Sequence, residues 1–191
     1  MDYNNKRIIR CSIAPVGSYK IIRNCSGCGS KSTYVNTGRF RVNANGNQVD
    51  VWLIYQCEKC KHTYNLTIHE RVRPSEIAPD RYLNYLENDE ELAHACGNDR
   101  QLLGRNQAEI DWDSVTFELS MEGAARPGDC IVIDNPYGLK VRTDRVAAQL
   151  FSVSRSKIKK WISNGWLEMD RESLGGSTRL ILAETFEMPE K

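Results

Sequence analysis

The chain has 191 residues, of which 40% are hydrophobic and 8% aromatic, enough for one domain or two small ones with a buried core. No apolar run approaches the length of a membrane span, and residues 1–10 hold no stretch of signal-peptide type, so a protein with no membrane association is expected, in the cytoplasm. The formal net charge is only +1, which by itself selects no class of partner.

In chain order, residues 1–24 begin polar and turn apolar at Ile8, Ile9 and Ile13, then again at Ile21 and Ile22. Pro15 and Gly17 break the run. Residues 21–24 are predicted to enter the next segment as a short strand.

That segment, residues 25–60, organises the rest. It begins Cys25-Ser26-Gly27-Cys28-Gly29 and ends Cys57-Glu58-Lys59-Cys60-Lys61. Two Cys-x-x-Cys pairs supply four thiols, the number a tetrahedral Zn²⁺ needs, with Zn–S bonds of ~2.3 Å. Gly27 and Gly29 suit a tight turn with positive φ. Lys59 and Lys61 carry charge that would favour the thiolates. In a reducing compartment such pairs bind metal rather than form disulfides. Cys25, Cys28, Cys57 and Cys60 are therefore the expected ligands of one structural zinc. Cys11, Cys96 and Cys130 are left over and are expected to be small buried apolar residues. His62 stands beside the second pair and could replace a cysteine or shield the metal, but four thiols already suffice. His69 and His94 are isolated and read as structural.

Between the pairs, residues 38–44 alternate, Asn45-Gly46 marks a hairpin turn, and residues 49–55 are β-branched and aromatic. Trp52 and Tyr55 would lie on opposite faces of that strand, so only one can be exposed. Residues 63–68 read as a third strand. Turn, hairpin, turn, strand is the layout of a zinc ribbon, assigned to residues 20–73.

Beyond Pro74 the composition turns acidic, and residues 74–109 read as a helical connector. Pro79 suits the first turn of a helix with Tyr82, Leu83 and Leu86 on one face. Asn88 is expected to cap a second helix, with Leu92, Ala93 and Ala95 inward and Gly97 at its end. Leu102-Leu103 closes a third.

Residues 110–191 are predicted to hold strands and a small αα-ββ module. Val115, Phe117 and Leu119 alternate, residues 130–133 form a compact apolar strand, and residues 139–142 a short one. Thr143 or Asp144 would cap a helix from Arg145 to Phe151, with Val146, Ala147, Leu150 and Phe151 as its apolar face. Ser154 would cap a second, ended by Gly165, with Ile158, Trp161 and Ile162 inward. Residues 166–169 and 179–182 then read as strands. The overall expectation is an α+β fold.

Charge is unevenly spread. Residues 1–73 carry twelve Lys/Arg and four Asp/Glu, residues 76–122 three and twelve, and residues 140–165 seven and one. The basic parts suit nucleic acid, although the three regions could equally neutralise one another. The basic side of the second helix carries Arg155, Lys157, Lys159 and Lys160, and with Arg145 these are the candidate phosphate contacts. Ser154-Arg155-Ser156-Lys157, Trp161-Ile162 and Gly165-Trp166-Leu167 resemble the S4-type RNA-binding module, which implies RNA lying along the helical pair. Glu168, Asp170 and Glu172 depart from that pattern. Val146-Ala147 through Ser154-Arg155-Ser156 to Trp161-Ile162 also resemble a DNA-binding helix-turn-helix.

The chain as a whole resembles an uncharacterised bacterial family, domain of unknown function 1062. The residues that carry the match are Arg39-Phe40-Arg41-Val42-Asn43-Ala44, Asp50-Val51-Trp52-Leu53-Ile54-Tyr55-Gln56-Cys57, Tyr64-Asn65-Leu66 and Val153-Ser154-Arg155-Ser156. The resemblance implies a cytosolic zinc-ribbon protein, spans from the first cysteine pair to the last helix pair, and brings no catalytic residues. No Ser/His/Asp set, Gly-rich phosphate loop or supported carboxylate pair is present, so an enzyme is not expected. A nucleic-acid-binding protein, RNA before DNA, is the first expectation. A protein-interaction adaptor is the second.

Overall fold

The computed structural model describes residues 6–186. In chain order its elements are β1 (Ile8–Val16), β2 (Ile21–Cys25), β3 (Ser30–Asn45), β4 (Gln48–Cys57), β5 (Thr63–Val72), α1 (Pro79–Glu87), α2 (Glu90–Asn98), α3 (Arg100–Arg105), β6 (Glu109–Ile110), β7 (Thr116–Met121), β8 (Cys130–Asp134), α4 (Thr143–Leu150), α5 (Arg155–Ser163), β9 (Leu167–Met169) and β10 (Ser177–Leu182). The fold is mixed α+β with two five-stranded sheets. It divides into two compact units, residues 16–116 and residues 1–15 with 117–191.

The unit of residues 16–116 is built on a sheet of order β5-β4-β3-β2-β6. Strand β4 shows why the sheet forms. Val49, Val51, Leu53, Tyr55 and Cys57 alternate inward and are all buried. Trp52 and Tyr55 do fall on opposite faces, and Tyr55 is the one in the core, its hydroxyl donating to the Tyr19 carbonyl at 3.2 Å. The β3–β4 hairpin closes on a two-residue loop after the Asn45–Gln48 pair, where Gly46 takes φ 61°. Strand β3 is longer than its alternating part suggests and runs through an irregularity between Asn36 and Phe40. The Asn36 side chain holds that irregularity. Its amide donates to Ser18 Oγ and the Ala93 carbonyl, at 2.8 and 2.9 Å, and its oxygen accepts from the Gly38 N–H.

The acidic helices pack within this unit, α1 and α2 on β3 and α3 on β5. Several local expectations differ from what is observed. Helix α1 buries Tyr85, against Phe40, while Leu83 and Leu86 face solvent. Asn88 does not cap α2. It ends α1 in the left-handed region, and Asp89 caps α2 by accepting from the Leu92 N–H. Ala95 is exposed, whereas Cys96 is buried. Gly97 does not terminate α2 but lies inside it, where a Cβ would sit 2.5 Å from Ser18 Oγ. Close approach, not positive φ, explains that glycine.

The second unit has a sheet of order β7-β1-β8-β10-β9. Strand β1, with Ile9, Cys11 and Ile13 buried, lies parallel to β8 in register Ile8↔Cys130 to Ser12↔Asp134. Strands β8, β10 and β9 pair antiparallel. Residues 110–119, which read as β-like in the sequence, are interrupted by a 3₁₀ turn, so that β6 and β7 belong to different sheets. Residues 139–142 are not a strand and contribute one isolated bridge, Arg142–Ser173. Thr143 and Asp144 are inside α4 and buried, with Arg142 at its N-cap. Helix α5 is capped as expected, with Ser154 accepting from the Lys157 N–H. Phe151, Trp161 and Phe186 form an aromatic core with centroids 4.9–5.7 Å apart.

Candidate metal centre

The two Cys-x-x-Cys turns meet. Cys25 ends β2, and Cys28 lies in the turn to β3. Cys57 ends β4, and Cys60 lies in the turn to β5. Both turns lie at the same end of the sheet, since Cys25 pairs with Ser30 at the start of β3 and Cys57 pairs with Tyr34 four residues further on. Each turn closes by a backbone bond from the fifth residue to the first, Gly29 N–H to the Cys25 carbonyl at 2.8 Å and Lys61 N–H to the Cys57 carbonyl at 3.1 Å. Gly29 and Lys61 both take left-handed φ, 67° and 64°. Gly27, by contrast, has no positive φ. It is small because a Cβ there would lie 2.8 Å from Cys60 Sγ.

The four sulfurs all lie within 4.8 Å of one another. Cys25 and Cys60 are 3.4 Å apart, and Cys28 and Cys57 are 3.8 Å apart. Four Zn–S bonds of ~2.3 Å in a tetrahedron put sulfurs ~3.8 Å from each other. The cluster is thus compatible with one structural zinc. A fully cysteine-ligated ion leaves no open position for water or substrate.

The surroundings favour thiolates unevenly. Tyr34 does most to favour the Cys25 thiolate and, with the Cys28 backbone, pulls that thiol down to about 6 against the opposing effect of burial. Cys57 is lowered chiefly by the backbone N–H groups of Cys60 and then Lys59, against the opposing effect of burial. For Cys60 the His62 backbone favours the thiolate, but the crowd of sulfurs from Cys25, Cys28 and Cys57 outweighs it and pushes the thiol up to about 12. Without a cation the fourth sulfur keeps its proton. A divalent ion removes that conflict. Tyr34 is the residue that sequence reasoning missed. It is buried, its ring meets Tyr64 edge-on, and nothing in its local sequence sets it apart from the other tyrosines. His62 is not among the sulfur-bearing ligands. Its Nε2 lies 2.9 Å from Ser26 Oγ and links one turn to the other.

The five candidate phosphate contacts differ in their surroundings. The Arg145 guanidinium lies over the Phe117 ring, at 5.2 Å. Arg155 is turned to Asp144, donating to both carboxylate oxygens, and Arg142 joins from the other side at 3.2 Å. Asp144 is held below the usual carboxylate range, since those two arginines outweigh its burial. Lys157 sits over Trp161, with Nζ 5.6 Å from the ring centre. Lys159 and Lys160 are exposed.

One polar groove of about 580 Å³ lies beside the β3 irregularity and presents Lys20, Arg39, Glu90 and His94. Lys20 is paired with Glu58 at 2.7 Å. The groove holds neither a thiol nor a pair of carboxylates. No helix among the described residues is long and apolar enough to cross a membrane.

The model of one family, described as a protein of unknown function (DUF1062), matches residues 42–173, well over half of the chain. The match takes in Cys57 and Cys60 but starts after Cys25 and Cys28, later than the resemblance suggested. No curated protein and no solved structure is detectably similar to the chain.

Proposed function

Because the chain belongs to the DUF1062 family of unknown function, its role must be read from its own residues, and we propose that it is a non-enzymatic zinc-ribbon protein that binds nucleic acid, RNA before DNA. In this reading Cys25, Cys28, Cys57 and Cys60 hold one Zn²⁺, which is structural and joins two turns of a small sheet. Four reduced thiolates require a reducing compartment, so the reading places the protein in the cytoplasm. Helices α4 and α5 with β9 and β10 act as an αα-ββ module of the S4 type, which binds and does no chemistry on the strand it holds.

The observation that carries the nucleic-acid reading is α5 itself. Its N-terminus is capped by Ser154, and Lys157, Lys159 and Lys160 are exposed along it with no ion pair among the described residues. Exposed lysines along a helix with a capped N-terminus suit a phosphate backbone. Fluorescence anisotropy with labelled single-stranded RNA and duplex DNA, over a salt series, tests it. Binding that weakens as salt rises, stronger for RNA, is expected. Absence of binding to either at low salt removes the reading. For the metal, elemental analysis of reduced protein is expected to give one zinc per chain, and Cys57→Ser is expected to lose both the zinc and the folded state of residues 16–116.

A second reading, a protein-interaction adaptor, is favoured by α1. Leu83 and Leu86 are 50% and 52% exposed on a helix whose neighbourhood is acidic. A basic, amphipathic partner would cover them. Stoichiometric recovery of one protein without nucleic acid would select this reading.

A further inference from the structure

We propose that Arg81, Arg105, His69 and the Tyr85 hydroxyl form a binding site for a phosphate group, on the unit of residues 16–116 and separate from both α5 and the cysteines. The residues come from three elements, and each is placed there by an identifiable feature. His69 owes its direction to a register shift in β5. Leu66 opposes Leu53 and Thr67 opposes Trp52, but His69 opposes Val51, so one residue is extra. Without that extra residue His69 would share the face of Thr67. With it, His69 turns to the helix-covered face of Leu66 and meets the Tyr85 ring edge-on at 5.8 Å. Irregularities of this kind re-aim side chains at binding sites.

Tyr85 is the hub. Its hydroxyl accepts from Arg81 Nε at 2.9 Å and lies 3.4 Å from His69 Nε2. Arg105 ends α3, and the next residue fixes that end to β5. The Asn106 side chain accepts from the Thr67 N–H at 2.8 Å and donates to the Thr67 carbonyl at 2.9 Å. Arg81 and Arg105, two of the three arginines in the otherwise acidic stretch 76–122, are the two cations whose charge acts on His69. Among the described residues neither Arg81 nor Arg105 has a carboxylate within 4.0 Å.

The other groups nearby do not supply the missing anion. Cys96 lies against Arg81, but burial keeps its thiol protonated. Asp99 faces Cys96 and spends a carboxylate oxygen on the Gln101 and Leu102 N–H groups. Burial lowers the His69 pKa, and the charges of Arg81 and then Arg105 lower it further. Two guanidinium groups, an imidazole N–H and a phenol are donors suited to a tetrahedral oxyanion, and phosphate matches their number and charge. A bound phosphate would bring His69 into its charged form. The phosphate could belong to a nucleic-acid backbone or to a free phosphate or phosphomonoester.

The test is NMR of the three histidine rings in the zinc-loaded full chain, with His69 assigned by its loss in His69→Gln. Inorganic phosphate is expected to shift the His69 ring in a saturable way, while chloride at equal ionic strength does not. The exposed pair Arg81→Gln/Arg105→Gln is expected to abolish that shift in a chain that still unfolds cooperatively on heating. As a second measurement, ³¹P line-broadening of the phosphate should follow the same pattern. A His69 response that tracks ionic strength alone, or one that survives in the double variant, overturns the site. A short single-stranded RNA lacking a terminal phosphate supplies the other arm. If it perturbs His69 at lower concentration than inorganic phosphate, the group recognised is a backbone phosphate. If only inorganic phosphate acts, it is a free phosphate or monoester. If neither acts, the proposal is wrong, whatever α5 binds.

Discussion

Gly27 and Cys60 belong to different turns, yet a Cβ built on Gly27 would stand 2.8 Å from Cys60 Sγ. Real Cβ atoms do not approach sulfur so closely. The close approach makes the first turn a template for the second, since the Cys60 sulfur can reach the cluster only over a bare backbone. Gly27→Ala is therefore expected to displace the fourth sulfur and weaken zinc binding by about tenfold or more, the range seen when the supports of metal ligands are altered. Competition with a chromophoric chelator measures it. Affinity equal to that of the unaltered chain would mean that the cluster relaxes freely and that Gly27 is a bystander.

Tyr34 is buried on the strand that pairs with Cys57 and does most to favour the Cys25 thiolate. A hydrogen bond to a charged acceptor contributes ~1.5–3 kcal/mol. Tyr34→Phe removes the donor and keeps the ring, so the packing against Tyr64 survives. The expected result is a folded protein with lower zinc affinity and a faster release of zinc to chelator. A variant that loses thermal stability in the metal-free state but binds zinc unchanged would assign Tyr34 to the core alone.

The cysteine spacing and the Asn45-Gly46 turn were legible because each is a local signal, with all of its information inside five residues. Strand β1 was not. Its neighbour β8 lies more than a hundred residues away, and the pairing of Ile8 with Cys130 leaves no trace in either segment. The neighbouring Ile8 also hid the alternation of Ile9, Cys11 and Ile13, because it is as apolar as Ile9 and yet faces solvent. On α1 the visible leucines misled. Leu83 and Leu86 stand at helical spacing, but Phe40 and His69 offer an aromatic surface, and Tyr85 takes it. Asp144 illustrates a third limit. A carboxylate at a helix start looks like a cap until its partner, eleven residues on, is known to fold back over it.

That ion pair makes stability depend on pH. Asp144 is buried, and Arg155 and Arg142 hold it charged below its ordinary range. Asp129 behaves likewise through Arg7, whose side chain donates at 2.7 Å, and through the Arg126 N–H. A carboxyl group depressed by folding contributes stability that is complete above the unfolded pKa of ~3.9 and is lost as pH falls through the lower folded value. The unit that contains β1 and α4 is therefore expected to unfold in acid. Asp144→Asn should lower its stability at neutral pH by ~1–3 kcal/mol, the smaller end being favoured because both arginines are about half exposed and can turn to water. It should also flatten the fall in stability below pH ~4. Thermal unfolding across a pH series checks both. A variant that is as acid-sensitive as the unaltered protein would show that Asp144 is not the group that titrates.

The same pair separates two roles along α5. Arg155 already spends its charge on Asp144, with bonds of 2.8 and 3.1 Å, whereas Lys159 and Lys160 have no such partner among the described residues. If α5 meets a nucleic-acid backbone, the lysines face the phosphates and Arg155 positions the helix. Lys159→Gln/Lys160→Gln should weaken RNA binding and reduce the slope of log affinity against log salt by ~0.7 for each phosphate that is no longer neutralised. Thermal stability should stay unchanged, because both side chains are exposed. Arg155→Gln should do the reverse, lowering stability by removing the bidentate bond while leaving the salt slope intact. Both variants remove positive charge from one helix, yet they are expected to move different observables. Were Arg155→Gln to change the slope and the lysine pair to leave it untouched, the surface that meets nucleic acid would have to lie on the α4 side of the pair, around Arg142 and Arg155, rather than along the exposed lysines.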